Sequence, residues 1–326
     1  MGGTMGSDKP GLPVTPFFSI IMPCFNAEAY IEQSINSVLN QSEMDFELIV
    51  VDDRSEDRSR EIVNKLARND DRLRLVPNDG CSGAAGARNR GVNNAKGKWL
   101  CFLDSDDIYA KEALSQRKAA IEGYPKCRFF SSNFILWRDE NGVDDLRQTE
   151  TNEFWARYFY LPGSCGVHLL DESIIPVFLH APLAWTGGVS MERQLFWELG
   201  GFDESLARAE DDHLWVRAAA KTGVVGLINA ADVYYRLRSS GLSQGGGSLS
   251  PCTPVMIRKL MRDPLLAGHR TQLRSKLELE TYLLSLHYRS RGLRVSAVRY
   301  ALESYWASSF NYRKFRNLIG SLISRS

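Results

Sequence analysis

Short apolar runs alternate with segments of helical periodicity through the first part of the chain. Continuous apolar runs predict buried strands at residues 17–22, 46–51, 73–76 and 99–103. We expect the first of these strands to stop at Pro23. Residues 29–39 carry apolar side chains at the spacing of one helix face. Because strands that alternate with helices are joined by right-handed crossovers, the sequence predicts an α/β chain with a mostly parallel central sheet, the layout of a nucleotide-binding fold.

The pattern of strands and helices continues beyond residue 110. Residues 129–137 predict another strand, and residues 187–191 predict a strand whose glycines let a second backbone approach closely. A short helix over 195–199 and a longer helix after the acidic residues 210–212 complete the pattern.

Composition divides the chain into three parts. Residues 1–16 are rich in Gly and Pro and predict a disordered tail, whereas residues 17–243 carry the strand and helix pattern. Residues 244–326 begin with a Gly-rich linker and continue as amphipathic helices. Within this last part, residues 256–326 contain fourteen Lys or Arg residues against four acids, so we expect a basic helical C-terminal region.

Charge, cysteine spacing and hydropathy exclude several classes of protein. The 326 residues carry 40 Lys+Arg and 39 Asp+Glu, a formal net charge of +1, so we expect no nucleic-acid partner. The six cysteines form no C-x-x-C pair and have no histidines at zinc-ligand spacing, which indicates a reducing compartment. Because the sequence shows neither a signal-peptide pattern nor an apolar run of about 18 residues, we expect a cytoplasmic protein.

Three carboxylates, Asp104, Asp106 and Asp107, directly follow the apolar run at 99–103. Ligands bind at the carboxyl ends of strands in open α/β sheets, and clustered carboxylates repel one another unless a cation neutralises them. One interpretation is a hard divalent cation, Mg²⁺ or Mn²⁺, that shares its other positions with phosphates. The alternative is a helix N-cap, since a helix is predicted to start near Ile108. The local pattern leaves both interpretations open.

Six motifs follow one another in a fixed order between residues 17 and 243. They are Pro23–Glu28, Val51–Asp57, Gly86–Gly91, Asp104–Asp107, Gly200–Glu204 and Glu210–Asp211. In this order and spacing they resemble the family-two inverting glycosyltransferases of the GT-A fold. The resemblance implies a GT-A-type nucleotide-binding sandwich over 17–243, with residues 17–110 as the nucleotide-sugar-binding half and 111–243 as the acceptor-binding half.

Most of these motifs are implied to bind the nucleotide-sugar donor. Asp53 matches the family acid that hydrogen-bonds the nucleotide base, and a carboxylate accepts well from the imide N–H of uracil. Phe25 stands where the family usually has Tyr, which keeps a ring face for the base but loses a hydroxyl. Arg88 matches a family arginine near the donor, where a guanidinium suits a diphosphate or a base carbonyl. A helix cap is the alternative for Asp53. The other residues implied to bind the donor are Pro23, Asn26, Glu28, Asp52, Asp104 and Ser105.

The resemblance favours the metal interpretation of the acidic cluster. Asp104 resembles the family acid that contacts the ribose, and Asp106 resembles the metal ligand, so we expect these two carboxylates to hold Mn²⁺ or Mg²⁺. The metal would bridge the donor diphosphate and stabilise the charge that develops as a nucleoside diphosphate leaves.

The Glu-Asp motif is implied to carry the catalytic base. Inversion at the anomeric carbon needs direct attack by an acceptor hydroxyl, helped by one general base. Asp211 occupies the second position of the motif and is the expected base, with Glu210 orienting it or binding the acceptor. The family pattern usually continues with another acid before Leu214, where this chain has His213. A helix cap is the alternative role for Asp211.

Four nearby residues are expected to line the sugar and acceptor pocket. They are Trp185, Gly187, Gly188 and Trp215. For the tryptophans, a place in the hydrophobic core is the alternative, since aromatic residues at helical spacing often pack there.

One position departs from the family pattern. Much of the family has a histidine after the last strand, in a pattern like Tyr-Arg-x-His, that completes the metal or diphosphate site. This chain has Arg238 at that position. Arginine cannot ligate a metal, but it can neutralise a diphosphate directly. We therefore expect Arg238 to contact the donor and the site to depend less on metal than those of its relatives.

The basic helices of residues 244–326 have two interpretations. Basic amphipathic helices can lie on anionic membrane surfaces, which suits a lipid-linked acceptor and a peripheral location on the inner face of the cell membrane. Alternatively, they form a helical cap on the catalytic domain with a solvated basic face.

Together these observations predict a metal-assisted inverting glycosyltransferase. It would move one sugar from a nucleotide diphosphate sugar, with a UDP-sugar preferred, to a hydroxyl of a glycan or lipid-linked acceptor in bacterial surface-polysaccharide assembly. A nucleotidyltransferase on a related sheet is one alternative, but it would show a basic Gly-rich signature where this chain has Pro23–Asn26. A catalytically silent sugar-nucleotide or membrane-binding module is another. The presence of Asp53, Asp106 and Asp211 argues against it.

Overall fold

The structure is a computed structural model that describes residues 15–137, 146–147, 158, 166–180, 184–237, 249–307 and 316. Its strands are β1 (Phe18–Cys24), β2 (Phe46–Asp52), β3 (Leu73–Pro77), β4 (Trp99–Phe102), β5 (Ile108–Tyr109), β6 (Phe129–Trp137), β7 (Leu146–Arg147), β8 (Val167–Asp171), β9 (Val189–Glu192) and β10 (Val224–Arg236). Its helices are α1 (Ile31–Leu39), α2 (Ser59–Ala67), α3 (Ala84–Asn94), α4 (Ala113–Gly123), α5 (Ile175–His180), α6 (Arg193–Leu199), α7 (Glu210–Thr222), α8 (Cys252–Arg262), α9 (Arg270–Ser290) and α10 (Arg294–Ala307).

All ten strands belong to one sheet in the order β3-β2-β1-β4-β9-β6-β10-β5, with β7 beside β6 and β8 beside β10. Strands β1 to β4 pair in parallel, and so do β6 and β10. Strand β9 lies antiparallel between β4 and β6, so those two strands point the same way. Six strands therefore share one direction, and the prediction of a mostly parallel sheet is confirmed.

Helices cover both faces of the sheet, because successive strand residues point to opposite sides. On one face Ile20 of β1 packs with Ile31 of α1, in a core that also takes side chains from α2 and α4. On the other face Ile21 belongs to a core with Leu214 of α7 and side chains from α3, α5, α6 and α8. Full burial of each large apolar side chain contributes about 1.5–3 kcal/mol. Because both faces of the sheet are buried, the sequences of its parallel strands are continuous apolar runs.

Two predicted boundaries are wrong. Strand β1 continues through Pro23, which lies opposite Val51 of β2. Ile21 O accepts from Leu103 N, so the backbone groups of Ile21, and of every second residue of β1, point toward β4. The backbone N of Pro23 points to the same side, but Pro23 lies beyond Ile21, the last β1 residue paired with β4. Its missing N–H therefore costs no ladder hydrogen bond. The helix predicted near Ile108 is instead strand β5, and α4 begins only at Ala113.

Other predicted elements agree closely with the structure. Residues 129–137 form β6 as predicted. The strand predicted over 187–191 begins at Val189, after a 3₁₀ turn over Thr186–Gly188. The three acidic residues expected before a helix form the first turn of α7.

The C-terminal helices pack on the rest of the chain through α8. Met256 and Ile257 of α8 join the core that contains Leu214 of α7. Helices α9 and α10 run antiparallel, and Ser304 Oγ donates to Glu278 O at 3.1 Å. Within the described ranges no helix combines the length and apolarity needed to cross a bilayer. The border at residue 243 and most of the tail at 1–16 lie outside the described residues, so the domain division stays a prediction.

Candidate active site

Acidic residues from several motifs meet at the carboxyl edge of the sheet. Asp52 ends β2 and Asp53 follows it, while Asp104 comes two residues after the end of β4. Because β2, β1 and β4 are adjacent and parallel, the acids that follow β2 and β4 lie on one edge, as the sequence predicts. Arg88 connects Glu210 of α7 to the same group through Asp104.

Asp53 is held by three donors from the chain. Asn78 Nδ2 donates to Asp53 Oδ1 at 2.7 Å, and Gly83 N–H donates to Oδ2 at 2.6 Å. Arg54 Nη1 also donates to Oδ1 at 2.8 Å. Since α2 begins only at Ser59, Asp53 does not cap it, and the helix-cap alternative is wrong. Asn78 was not among the predicted site residues, although it is a polar residue directly after β3 and so lies at the same sheet edge.

The loop after β1 is tied to the loop after β2 by two residues expected to bind the donor. Asn26 Oδ1 accepts from Glu56 N at 2.8 Å, and Glu28 Oε2 accepts from Arg58 N at 3.1 Å. Phe25 remains 61% exposed, so its ring is available to a ligand. The role of Asn26 and Glu28 in the structure is thus to fix this loop, and their contact with a donor stays a prediction.

Two other residues assigned to the donor are also engaged locally. Asp52 is buried, and its carboxylate accepts from Arg60 Nε at 2.5 Å and from Ser55 N at 3.2 Å. Pro23 lies within β1 beside Val51, one strand position before the loop. Asp52 and Pro23 therefore support the loop that carries Phe25, and neither presents polar side-chain atoms at the surface of that loop.

The loop that follows β4 does not cap a helix, so that alternative for the acidic cluster is wrong. Asp104 Oδ1 accepts from Arg88 Nη2 at 2.7 Å, and Ser105 O accepts from Ser34 Oγ at 2.9 Å. Asp107 is 1% exposed and accepts the backbone N–H of Arg236 at 2.9 Å. The loop is thereby fixed to α1, to α3 and to the end of β10.

Arg236 is the residue that holds this loop most extensively, and the sequence analysis missed it. Its Nε donates to Asp106 O at 2.8 Å and its Nη2 donates to Gln33 Oε1 at 2.6 Å. The guanidinium lies 4.1 Å from the ring centre of Trp137 and 4.9 Å from that of Tyr30. The signal was present, since Arg236 belongs to the Tyr-Arg pattern. Arg238, the residue that drew attention there, lies outside the described residues.

The acidic cluster carries excess negative charge. Burial raises the pKa of Asp107 well above its usual range, and the nearby charges of Asp106 and Asp104 raise it further, while Arg236 opposes them. A cation at this edge would relieve that repulsion.

The donor set of the cluster suits a hard divalent cation. The described residues contain no group of three or more His, Cys, Asp or Glu side chains that could hold a metal by themselves. Mg²⁺ characteristically takes one or two carboxylates and completes its coordination with phosphates and water. Asp104 and Asp106 are the two carboxylates of this loop predicted to form such a pair, and the second oxygen of Asp104 is the one that Arg88 does not bind. Their role as metal ligands stays a prediction.

Arg88 is a buried link between two acids, 4% exposed. Its Nη1 donates to Glu210 Oε1 at 2.8 Å and its Nη2 donates to Asp104 Oδ1 at 2.7 Å. Burial lowers the pKa of Arg88, but Asp104 and Glu210 outweigh that effect and hold the pKa above its ordinary value. Both terminal nitrogens thus bind protein carboxylates. The contact of Arg88 with the donor stays a prediction.

Asp211 lies in the first turn of α7 with both oxygens engaged. Thr186 Oγ1 donates to Asp211 Oδ2 at 2.8 Å, and Asp212 N donates to Oδ1 at 2.9 Å. The N-cap residue is Ala209, so Asp211 is not the N-cap, but its Oδ1 accepts a first-turn N–H of α7. The capping alternative therefore holds in part, beside the predicted role as base. Thr186 was missed because nothing in its local sequence marks a hydroxyl as a partner of a helix 25 residues later.

The two acids beside Asp211, Glu210 and Asp212, both have raised pKa values. Burial and Asp211 raise the pKa of Glu210, against the opposing charge of Arg88. Burial and the charge of Asp211 raise the pKa of Asp212 to about 8, and Lys276 of α9 opposes them. The negative charge of these three consecutive acids is therefore opposed by Arg88 of α3 and by Lys276 of α9.

The two tryptophans assigned to the pocket have different places. Trp215 is 1% exposed and packs against Phe102, Phe129 and Phe202, with ring centres 5.5–5.9 Å apart. Trp215 therefore belongs to the hydrophobic core, which was the alternative prediction, and the prediction that it lines the sugar pocket is wrong. Trp185 is half-buried and packs against Tyr235, with ring centres 4.6 Å apart. It precedes Thr186, the partner of Asp211, and its contact with a sugar stays a prediction.

The two glycines assigned to the pocket are buried backbone contacts. A Cβ on Gly188 would lie 2.6 Å from Ser132 O, so only glycine fits there. Gly187 O accepts from Arg117 Nη2 at 2.8 Å. The predicted close approach at these glycines is confirmed, and its physical cause is the packing of the 3₁₀ turn on β6 and α4.

A buried ion pair that the sequence analysis missed supports this region. Arg117 is fully buried and pairs with Asp232 through Nε–Oδ2 and Nη2–Oδ1 contacts of 2.7 and 2.9 Å. Its Nη1 donates to Tyr109 Oη at 3.0 Å, and that hydroxyl donates to Phe102 O at 2.8 Å. The network thus holds both the end of β4, before the acidic loop, and the turn Thr186–Gly188 that carries Thr186.

Comparisons with known proteins agree with this arrangement. The family model described as glycosyl transferase family 2 matches residues 19–159. A curated relative from Escherichia coli, UDP-Glc:alpha-D-GlcNAc-diphosphoundecaprenol beta-1,3-glucosyltransferase WfgD, is 46% identical over 227 residues, which cover 69% of this chain and 79% of that protein. Two other curated relatives match over 102 residues, so the chain spans only 41% and 40% of their length.

Solved structures share the fold at lower identity. Residues 1–349 of Staphylococcus aureus TarS, in complex with UDP-GlcNAc, superpose with a TM-score of 0.62 at 20% identity, over 90% of this chain and 81% of that chain. The mannosyltransferase PcManGT from Pyrobaculum calidifontis, in complex with GDP-Man and Mn²⁺, gives a TM-score of 0.56 at 19% identity, over 97% and 87%. These likenesses confirm the predicted GT-A-type fold. The extent of the match to the E. coli relative shows that the chain belongs to glycosyl transferase family 2.

Proposed function

We propose that the protein is an inverting glycosyltransferase that moves a sugar from a UDP-sugar to a hydroxyl of a lipid-diphosphate-linked acceptor. The observation that carries the proposal is the link through Arg88 between the acidic loop after β4 and the acids of α7. This link supports the proposal, because it joins the loop proposed to face the diphosphate to Glu210, which directly precedes the proposed base Asp211.

The donor is proposed to bind over the carboxyl ends of β1, β2 and β4. The exposed ring of Phe25 would pack on the base, and Asp53 would accept from a uracil imide N–H in exchange for one of its present donors. Arg54 is the donor most readily displaced, because its side chain is 52% exposed. The proposal of a UDP-sugar is supported by the UDP-Glc in the name of WfgD and by the UDP-GlcNAc complex of TarS.

Asp106 and Asp104 are the residues proposed to hold Mn²⁺ or Mg²⁺ beside the diphosphate. When bound, a divalent cation would supply positive charge to the departing nucleoside diphosphate. Arg236 holds the backbone of this loop by binding Asp106 O, which supports a loop that is already positioned when the ligand arrives. The Mn²⁺ complex of PcManGT supports the choice of metal.

Asp211 is proposed as the general base that accepts the proton of the acceptor hydroxyl. Thr186 and the Asp212 N–H orient its carboxylate, so that it meets the hydroxyl in one fixed geometry. Glu210 is proposed to assist indirectly: through Arg88 it links the base helix to the loop that carries Asp104 and Asp106. Direct displacement by the hydroxyl forms the new glycosidic bond, breaks the bond to the diphosphate and inverts the anomeric carbon.

The acceptor is proposed to be a sugar carried on a polyprenyl diphosphate. This rests on the name of WfgD, whose acceptor is alpha-D-GlcNAc-diphosphoundecaprenol. The protein would then work at the inner face of the cell membrane. The nucleotidyltransferase alternative has no support in the family match, and a silent binding module would have no need of an oriented Asp211.

Thermal-shift titration with UDP-, GDP- and dTDP-sugars, each with and without Mn²⁺, tests the donor class. A bound ligand raises the melting temperature by mass action, so a UDP-sugar with Mn²⁺ should give the largest shift. Preference for a GDP- or dTDP-sugar would contradict the donor assignment.

A further inference from the structure

Helix α10 carries a stripe of exposed side chains that the proposed function does not use. Val295 is 86% exposed, Leu302 41% and Trp306 81%, and the side chain of Arg299 is 68% exposed. Their spacing of four, three and four residues puts them on one line along the helix. We call these four residues the α10 stripe.

The opposite side of α10 is the packed side. Ala297, Tyr300, Ala301 and Ser304 are buried, and Tyr300 stacks on Tyr288 of α9 with ring centres 5.5 Å apart. The helix is therefore held against α9 by one face. A second apolar face that points to solvent, with a large aromatic side chain near its end, indicates a contact surface.

The charge next to the stripe is mostly positive, and the acid Glu303 beside it pairs with Arg258 at 2.5 Å and with Arg299 at 3.5 Å. Residues 289–299 contain four arginines and no acid. Arg291 and Arg294 are exposed in the connection between α9 and α10, together with Leu293, which is 51% exposed. Arginine beside Trp and Leu is the composition of helices that lie at the headgroup level of anionic membranes.

The stripe runs toward the end of the helix pair that approaches the candidate base. Ser304 of α10 contacts Glu278 of α9, so Trp306 lies near the beginning of α9. Lys276, one half-turn before Glu278, is the α9 residue whose charge acts on Asp212 beside Asp211. A surface along α10 therefore leads toward the site where an acceptor would react.

We propose that the α10 stripe and the arginines at 291 and 294 form a docking surface for an anionic phospholipid bilayer, with Trp306, Leu302 and Val295 in the interfacial layer and the arginines on lipid phosphates. This inference rests on the proposed function, because a polyprenyl-linked acceptor resides in a bilayer. A second copy of the chain is a poorer occupant, since residues 289–299 contain four arginines and no acid, and pairing about the stripe would bring two such segments together.

Co-sedimentation of the full chain with vesicles tests the proposal. The protein should bind vesicles of phosphatidylcholine and phosphatidylglycerol, bind neutral phosphatidylcholine vesicles at least tenfold more weakly, and lose affinity as salt is added. The double variant V295S/W306S should lower the partition coefficient at least tenfold. Arg299→Glu should lower it about fivefold or more, since each arginine near an anionic surface is worth about that factor.

Matched controls come from the rest of the chain. Trp197 of α6 is 43% exposed and Arg68 after α2 is exposed, so Trp197→Ser and Arg68→Glu change the same chemistry away from α10. Both should bind vesicles as the unchanged protein does. Equal binding by control and α10 variants would overturn the proposal, and so would absence of vesicle binding, or a dimer in solution that only the α10 variants dissolve.

A second acceptor separates this inference from the proposed function. The α10 variants should transfer sugar normally to a short-chain, water-soluble diphosphate acceptor and poorly to the same head group embedded in anionic vesicles. If the unchanged protein transfers to neither acceptor yet binds vesicles, the proposed function fails while the docking surface stands. If transfer to the embedded acceptor is insensitive to the α10 variants, the docking surface is wrong.

Discussion

Arg88 Nη1 donates a hydrogen bond of 2.8 Å to Glu210 Oε1 across 122 residues of sequence. The same guanidinium binds Asp104, so one buried cation joins the acidic loop after β4 to the first turn of α7. The side expected to hold the donor diphosphate and the side expected to supply the base are therefore mechanically connected. A substitution in the acidic loop should therefore affect the first turn of α7, and a substitution there should affect the loop.

Substitution of Arg88 tests this connection. Arg88→Gln leaves two carboxylates without their shared cation, and loss of one partner of a buried ion pair costs about 3–5 kcal/mol. Urea unfolding at neutral pH should show that loss, whereas Arg68→Gln, at an exposed position, should change stability by less than about 0.5 kcal/mol. Glu210→Gln in the Arg88→Gln background should restore part of the stability. Additive effects of the two substitutions would mean that Arg88 and Glu210 are not coupled.

The orientation of Asp211 yields a second prediction. Asp211→Asn should retain donor binding while the turnover number falls by about 10²–10⁴, because the substitution removes the proposed base and keeps the shape of the side chain. Thr186→Val removes the hydrogen bond to Asp211 Oδ2 and should lower turnover by up to about tenfold, whereas Thr186→Ser should keep it. Steady-state kinetics with a donor-binding measurement separates the effects. Near-normal turnover of Asp211→Asn would assign the base elsewhere.

His213 gives the fold a dependence on pH. Burial and, to a smaller extent, the charge of Arg217 together lower the pKa of His213 to about 4, while an unfolded chain titrates near the ordinary value of about 6.5. Between these values the unfolded state binds the extra proton, so folding stability falls as pH falls from 7 to 4.

The contribution of His213 can be isolated with His213→Gln, which does not titrate. Stability of the unchanged protein should drop by about 2–3 kcal/mol more than that of the variant when urea unfolding is compared at pH 7 and pH 4.5. Asp203 and other acids are present in both proteins, so their titration cancels to first order. Parallel curves for the two proteins would show that His213 is not the responsible group.

Metal removal tests the substitution of Arg238 for the family histidine. With arginine at that position and only Asp104 and Asp106 as proposed protein ligands, we expect chelation to reduce transfer without abolishing it. Transfer should be measured with EDTA and after addition of Mn²⁺ or Mg²⁺ in excess. Complete loss that the metal restores would mean that Arg238 does not lessen the dependence.

Arg236 is expected to act as a positioning residue for the acidic loop. Arg236→Gln removes the donor to Asp106 O and the contact with Gln33, so the Mn²⁺ concentration for half-maximal transfer should rise about tenfold or more. Arg236→Lys keeps the positive charge but loses the planar guanidinium, so its half-maximal Mn²⁺ concentration should lie between those of the unchanged protein and Arg236→Gln. A lower melting temperature with unchanged Mn²⁺ dependence would indicate a purely structural role.

The fold and the set of site residues differ in how far the sequence predicts them. Apolar runs such as that before Asp104 identify strands because both faces of the parallel sheet are buried, and strand direction then brings Asp53 and Asp104 to one edge. The start of α4 at Ala113 was not predictable, because the pairing of β5 with β10 involves residues more than a hundred positions apart.

The missed residues share one physical property: their role depends on partners distant in sequence. Thr186 binds Asp211 and Arg117 binds Asp232, and no local pattern identifies these pairs. Arg236 lies in the Tyr-Arg pattern, but that pattern does not identify Asp106 O as its partner. Trp215 illustrates the reverse case, since its motif position suggested a pocket whereas packing against Phe102 places it in the core. Motifs therefore locate the edge of the site but do not distinguish residues that face a ligand from those that support them.

The stereochemistry of transfer tests the central proposal most directly. The protein would be incubated with a UDP-α-sugar and a short-chain GlcNAc-diphosphate-lipid, and the anomeric configuration of the new linkage read by NMR, beside the Asp211→Asn variant. We predict a β-linked product whose formation falls at least a hundredfold in the variant. An α-linked product, or a β-linked product that Asp211→Asn forms at the normal rate, would contradict the account.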